Sequence, residues 1–263
     1  MTFQLLVSTM NQTDFQLLDR MNVQSDAVII NQCDKNSIEE FNYNNYKIKW
    51  INMSNRGVGL SRNTALFNAT ADIILFADDD VTYADGYAQE VRNAFESNKK
   101  ADVICFNINL VNSIKNFGYR NNKKNKRLSL LNSMRYGACR IAARRRVLLK
   151  NRISFSLLFG GGAEFSSGED SLFIRDCYNK KMTLYANSYT LGEVDDAQSS
   201  WFSGVQDKLF IDRGVLIYNA FPILHSLLYF YYAFRLKKLD PNYGIRKILK
   251  LFYKGRKLIK KYR

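Results

Sequence analysis

Over its first 115 residues the chain alternates short apolar runs with stretches of helical spacing. Gln4 to Thr9 and Ala27-Val28-Ile29-Ile30 read as buried strands, and Lys47 to Met53 alternates in the manner of a third. Between the first two, Phe15, Leu17, Leu18 and Met21 follow Thr13 and Asp14, either of which can cap a helix. Ile73-Ile74-Leu75-Phe76-Ala77 is a further strand, and it ends abruptly in Asp78, Asp79 and Asp80. Tyr83 to Ser97 is helical in pattern, with Tyr87, Val91, Ala94 and Phe95 on one face, and Asp102 to Leu110 returns as a strand. Such β-α-β-α-β alternation with short connections predicts an α/β fold built on a mostly parallel, doubly wound sheet flanked by helices. Lys115 to Arg127 has no apolar period and reads as a mobile excursion. Tyr136 to Ala142 then reads as a strand, Arg144 to Lys150 as a short helix and Leu184 to Ala186 as a short strand.

Composition supports a folded body: 46% of the 263 residues are hydrophobic and only 2 are Pro. Cys33, Cys105, Cys139 and Cys177 show no C-x-x-C pairing, which predicts buried reduced thiols of a cytoplasmic protein. The first residues carry no basic leader, so a secretory signal is not expected. The formal charge of +15 is unevenly spread. From Lys115 to Arg152 there are 13 Lys or Arg and no acid, and from Arg235 to Arg263 there are 12 against Asp240 alone. Elsewhere acids outnumber bases. Two basic blocks on an acidic body call for an anionic counterpart: a phospholipid surface, a polyphosphate or a nucleic acid.

Asp78, Asp79 and Asp80 stand where ligands bind in open α/β sheets, beyond the carboxyl end of a buried strand. Three adjacent carboxylates repel one another, and an all-oxygen set of this kind suits Mg²⁺ or Mn²⁺; a solvated acidic turn is the alternative. Upstream, Gly57 and Gly59 permit close backbone approach, Ser61 can cap the following helix, and Arg62 in its first turn would place a full charge at a helix N-terminus, a ready anion site. Further on, Gly160-Gly161-Gly162 leads to Gly168-Glu169-Asp170, a flexible loop running into a carboxylate pair that opens a helix carrying Leu172, Phe173 and Cys177. Helix-dipole compensation by Glu169 and Asp170 is the plainer alternative.

Asn55-Arg56-Gly57-Val58-Gly59-Leu60-Ser61-Arg62-Asn63, the strand ending in the Asp triplet, and Gly168-Glu169-Asp170 together resemble the inverting family 2 glycosyltransferases of GT-A fold. Their pattern is asparagine, a glycine turn, a helix opening Ala-Arg-Asn, a strand, and Asp-x-Asp. The resemblance implies a metal-dependent transfer of a sugar from a nucleoside diphosphate, UDP foremost, to a hydroxyl of a glycan acceptor, in cell-surface polysaccharide biosynthesis. It implies Asp170 as catalytic base with Glu169 second, Asp78 near the ribose, Asp80 at the Mn²⁺ or Mg²⁺ with Asp78, and Asp79 able to replace either. Thr9, Asn31, Gln32, Asp34, Asn55, Gly57 and Arg62 join the donor site. At the end of the second strand Asn31 and Gln32 stand where the family carries an acidic pair, so neutral amides would recognise the base. Gly161, Gly162 and Trp201 would face the acceptor.

These readings divide the chain into a nucleotide-sugar half (1–114), an acceptor half with the catalytic loop (115–213) and a helical basic extension (214–263). Gly214 to Phe234 has about the length that a membrane span requires, but Asn219, Pro222, His225 and Ser226 interrupt it, so an in-plane or packed helix is expected. Ile248, Leu249, Phe252, Leu258 and Ile259 among many Lys and Arg have the composition of a helix lying on an anionic bilayer, which predicts a peripheral protein on the inner face of the membrane and suits a lipid-linked acceptor. Subunit contact through these helices is the alternative. His225, the sole histidine, reads as structural. A sugar nucleotidyltransferase would open with a Gly- and Lys-rich loop, which Thr9-Met10-Asn11-Gln12-Thr13 is not; a nucleic-acid binder would use the two basic blocks.

Overall fold

The computed structural model describes residues 1–111, 120–195, 206–240 and 242–262. In chain order its elements are β1 (Phe3–Met10), α1 (Leu17–Arg20), β2 (Ala27–Gln32), β3 (Ser37–Tyr43), β4 (Tyr46–Met53), α2 (Val58–Asn68), β5 (Ile73–Asp78), β6 (Val81–Tyr83) and α3 (Tyr87–Ser97). There follow β7 (Val103–Val111), β8 (Lys126–Arg127), α4 (Leu130–Ser133), β9 (Ile141–Arg144), α5 (Arg145–Lys150), α6 (Glu169–Asn179), β10 (Leu184–Asp195), α7 (Asp207–Ala220), α8 (His225–Leu236) and α9 (Ile245–Ile259).

One sheet runs in the order β3-β4-β2-β1-β5-β9-β7-β10-β6, with β8 paired to β10. The apolar runs that predicted strands form its parallel centre: β1 lies between β2 and β5, and β4 continues beyond β2. Alternation along β1 sends Leu5 and Val7 to one face and Leu6 to the other, and each face carries its own buried core. Three departures from the expected pattern matter. Ser37–Tyr43 is an edge strand antiparallel to β4, turned by Asn44 and Asn45 at φ 46° and 69°, a hairpin with left-handed central residues. Helical geometry begins only at Tyr87, because Val81–Tyr83 pairs with β10. The strand expected over 136–142 is displaced to Ile141–Arg144, where it runs antiparallel between β5 and β7.

Helices α7, α8 and α9 build a third core with Phe159, Phe165 and Leu172, so the C-terminal unit is bonded to the segment that precedes α6. α7 and α9 meet through glycines: a Cβ at Gly214 would lie 2.5 Å from the Phe252 Cα, and one at Gly255 would lie 2.2 Å from the Ile211 carbonyl oxygen. Ile248, Leu251, Phe252 and Ile259 are buried in this contact. The apolar face of α9, expected on a bilayer, is therefore spent on the body of the protein. No helix among the described residues is long and apolar enough to cross a membrane; Pro222 lies between α7 and α8. The four cysteines are free and buried, and burial pushes the Cys105 thiol up to about 12.

Candidate functional site

Asp78 at the end of β5, Arg62 of α2 and the N-terminus of α6 line one cleft, and the ends of β1 and β2 are tied to its neighbours through Thr9–Asp79 and Gln32–Gly57. α2 starts at Val58, one turn earlier than Ser61 suggested. Its N-cap is Gly57, whose φ of 132° lies in a region open to glycine. Ser61 is consequently inside the helix, buried, with its hydroxyl hydrogen-bonded to that of Ser8 at 2.9 Å. Arg62 likewise is not an open anion site in the first turn. Only 2% exposed, it donates from Nη2 to Asp78 Oδ1 at 2.7 Å and from Nη1 to Glu169 Oε1 at 3.0 Å and Asp170 Oδ1 at 2.9 Å. Its guanidinium carbon sits 5.3 Å from the Phe155 ring centroid. Desolvation opposes the Arg62 charge, but Asp78, Asp170 and Glu169 more than offset it and hold its pKa above the ordinary range.

The arginine thus ties the end of β5 to the start of α6. Glu169 is the more enclosed of the two α6 acids; its Oε1 meets Arg62 and its Oε2 accepts from the Gly168 N–H at 3.0 Å. Asp170 keeps 24% of its side chain exposed and lines an open cleft of about 300 Å³ with Arg62, Asp78, Gly137, Ser171 and Arg213. Burial pushes the Asp170 carboxyl up; Arg62 holds it down, Glu169 and Asp78 raise it again, and the balance is about 7. A carboxylate poised there and open to a cleft can take a proton from a neutral donor near neutral pH.

The residues expected around a nucleotide divide into two groups. Asn31 is fully buried, with its amide shared between the Gln12 backbone (2.9 and 3.0 Å) and Asn52 Oδ1 (2.8 Å), so it shapes the loop after β1 and does not offer an amide to a base. Gln32 accepts from the Gly57 N–H at 2.7 Å and so holds the glycine turn. Both amides are satisfied because a buried strand end cannot leave polar groups unpaired. Thr9 and Asp79 are joined at 2.5 Å between Oγ1 and Oδ2. Asp34 and Asn55 are exposed, and Asp34 pairs with Arg56 at 2.9 Å.

The acceptor-side glycines close on this turn. Gly161 O accepts from Val58 N–H at 2.9 Å, and a Cβ on Gly162 would stand 3.2 Å from the Gly57 Cα. At Gly160, with φ 102°, a Cβ would strike Val58 at 2.5 Å and Glu169 at 2.8 Å. Trp201 lies outside the described residues. Two contributors had no local signal in sequence. Asp212 of α7 accepts from the backbone N–H and hydroxyl of Ser166 at 2.9 and 2.7 Å, fixing the loop before α6. Arg213 lines the cleft; burial lowers its pKa, and among the described residues no carboxylate pairs with it.

Mn²⁺ or Mg²⁺ was expected at the Asp triplet. Among the described residues no three His, Cys, Asp or Glu converge as a metal cage. These ions, however, often take only one or two carboxylates and complete their shell with phosphate oxygens and water. Asp78, half-buried at the strand end, and the exposed Asp80 supply hard oxygens of that kind. In donor type the two suit an ion whose shell phosphate oxygens and water would complete, with Asp78 Oδ1 already taken by Arg62.

Residues 25–153 match the family model described as glycosyl transferase family 2. No curated protein matches the sequence. Among solved structures, S. aureus TarS 1–349 in complex with UDP-GlcNAc superposes with a TM-score of 0.60 at 18% identity, over 84% of this chain and 68% of that one. S. aureus TarS 1–349 without a named ligand gives 0.59 at 17% identity, over 97% and 71%. The S. aureus TarS structure not limited to 1–349 gives 0.59 at 18%, and there the chain spans 40% of its relative.

Proposed function

From the premise that the chain is a family 2 glycosyltransferase of GT-A fold, we propose that it moves a sugar from a UDP-sugar to a hydroxyl of a glycan acceptor, inverting the anomeric carbon. The observation that carries this reading is the Arg62 bridge, which sets the Asp78 strand end and the Asp170 carboxylate in one cleft. Direct displacement asks for two things: a base for the attacking hydroxyl and neutralisation of the leaving diphosphate. Asp170, poised at about 7, takes the hydroxyl proton. Arg62 restrains the Asp170 carboxylate through Oδ1, and with three carboxylates around it has no charge left to offer the diphosphate. Asp78 and Asp80 would hold Mn²⁺ or Mg²⁺, which when bound supplies charge neutralisation for the diphosphate. Thr9 and Asp79 fix the loop beside it, Gly57 lets backbone approach the donor closely, and the exposed Asn55 and the Asp34–Arg56 pair would meet the base.

The glycine loop at 160–162 and the cleft wall carrying Ser171 and Arg213 receive the acceptor, which we place among lipid-linked glycans of a cell-surface polysaccharide. UDP-GlcNAc, the ligand named for the TarS complex, is the first donor to try. Asp170→Asn preserves shape but cannot accept the proton, so turnover should fall by about 10²–10⁴-fold with UDP affinity nearly unchanged. An equal loss of UDP affinity would place Asp170 in the donor site instead.

A further inference from the structure

α8 has two unlike faces. His225, Tyr229 and Ala233 are buried against α7 and α9, with the Tyr229 hydroxyl donating to Gly214 O at 2.8 Å. On the other side Leu227, Phe230, Tyr231 and Phe234, with Ile223 and Leu224 in the preceding turn, are 52–92% exposed. Their spacing of three and four places them on one continuous stripe. Six large apolar side chains exposed within twelve residues exceed what a monomer scatters singly, and a contiguous apolar patch of this kind marks an interaction site.

The surrounding charge says what the stripe meets. From Phe221 to Arg263 the only acid is Asp240. Arg235, Lys237 and Lys238 stand exposed at the end of α8. On α9, Lys250, Lys254 and Lys257 share a face with Tyr253, whose ring centroid lies 5.2 Å from that of Tyr229 on α8, so a row of exposed lysines flanks the helix. Leucine and phenylalanine suit the acyl boundary, tyrosine the headgroup level and lysine an anionic headgroup.

We propose that α8 is a membrane-docking helix that seats this face on an anionic phospholipid surface. The inserted element is the α8 stripe; α9, whose apolar side is already packed on α7, contributes only its cations. Leu216 of α7 packs where a Cβ of Gly168 would lie, at 2.7 Å, and Asp212 grips Ser166, so docking α8 would hold the cleft itself at the lipid surface. Docking requires nothing of the donor chemistry proposed above, and the two can fail separately.

The test uses the full chain, vesicles of phosphatidylcholine with and without phosphatidylserine, and the triple variant Leu227→Ser, Phe230→Ser, Phe234→Ser. All three positions are exposed, so its melting curve and UDP binding should equal those of the wild type. Docking predicts that the wild type sediments with phosphatidylserine vesicles and far less with neutral ones, and that the triple variant loses about tenfold or more of its vesicle affinity. Lys237→Glu with Lys238→Glu should lower binding to the anionic vesicles alone. Wild type that stays in the supernatant, or a triple variant that sediments equally, would overturn the proposal. So would self-association of the wild type, abolished in the variant and without vesicle binding, since the face would then belong to a second copy.

Discussion

Arg62 is the residue on which the cleft depends, because one buried guanidinium answers three carboxylates. Removing one partner of a buried ion pair leaves uncompensated charge and costs about 3–5 kcal/mol. Arg62→Ala should therefore lower unfolding free energy in urea by about that amount. Arg62→Lys keeps a charge but not the planar fork, and Asp170 should lose part of the attraction that holds its pKa down. The base limb of the pH–rate profile, near 7 in the wild type, should move to higher pH in Arg62→Lys. An unmoved limb would show that another group titrates; the value belongs to the cluster with Glu169 and Asp78 as much as to Asp170. Asp80→Ala should remove most turnover, and EDTA should do the same to the wild type; full activity in EDTA would refute the metal role. Asp78, Asp79 and Asp80 were legible because an apolar strand that stops in acids puts them at a predictable place. The partners of Arg62 were not, since its bonds to Glu169 and Asp170 span 107 and 108 residues and no local pattern records them. Asn31 and Gln32 were legible as lining a strand end, but whether an amide serves a ligand or its own loop is decided by neighbours in space.

Among the elements, α7 joins catalysis to the rest of the C-terminal unit. It carries Asp212, which fixes Ser166, and it packs on α9 through Gly214 and Gly255. Overpacking such a contact typically costs about 1–3 kcal/mol. Gly255→Val should accordingly lower the melting temperature and, by shifting α7, reduce transfer to the acceptor more than it reduces UDP binding. Asp212→Ala should give the second effect with less of the first, and equal loss of UDP binding would deny α7 its selective action on the acceptor side. The strands of the parallel centre were readable as apolar runs, since burial on both faces leaves no other composition. The β3–β4 hairpin was not, because Ser37–Tyr43 is mostly exposed at the sheet edge and has little apolar signal beyond its Asn44-Asn45 turn. The helical pattern of α9 was read correctly, but periodicity shows that a helix has an apolar face and is silent on what covers it. A bilayer and a glycine-bearing neighbour demand the same residues.

For the whole molecule, the cleft sits where the central sheet, α6 and the C-terminal helices meet, so a cost built into it is carried by global stability. Asp170 is the clearest such cost. Its folded-state pKa of about 7 stands above its ordinary value of 3.8, so the folded protein binds the proton more tightly than the unfolded chain. Stability must then fall as pH rises from about 4 to about 7 and lose nothing further from this group above that range. Asp72 acts in the opposite sense: the Thr2 backbone N–H holds its pKa down, so its contribution is present above the ordinary carboxylate range and disappears in acid. Wild-type stability alone mixes these effects, and the comparison with Asp170→Asn isolates the first. At about pH 4 the variant and the wild type, both neutral at this position, should unfold at similar urea concentrations. By about pH 8 the variant should be the more stable of the two, because it has shed a carboxylate held ionised in a desolvated cleft between Asp78 and Glu169. A gap that does not widen between these limits would mean that Arg62 already compensates Asp170 in full, and the base limb near 7 would then need another owner.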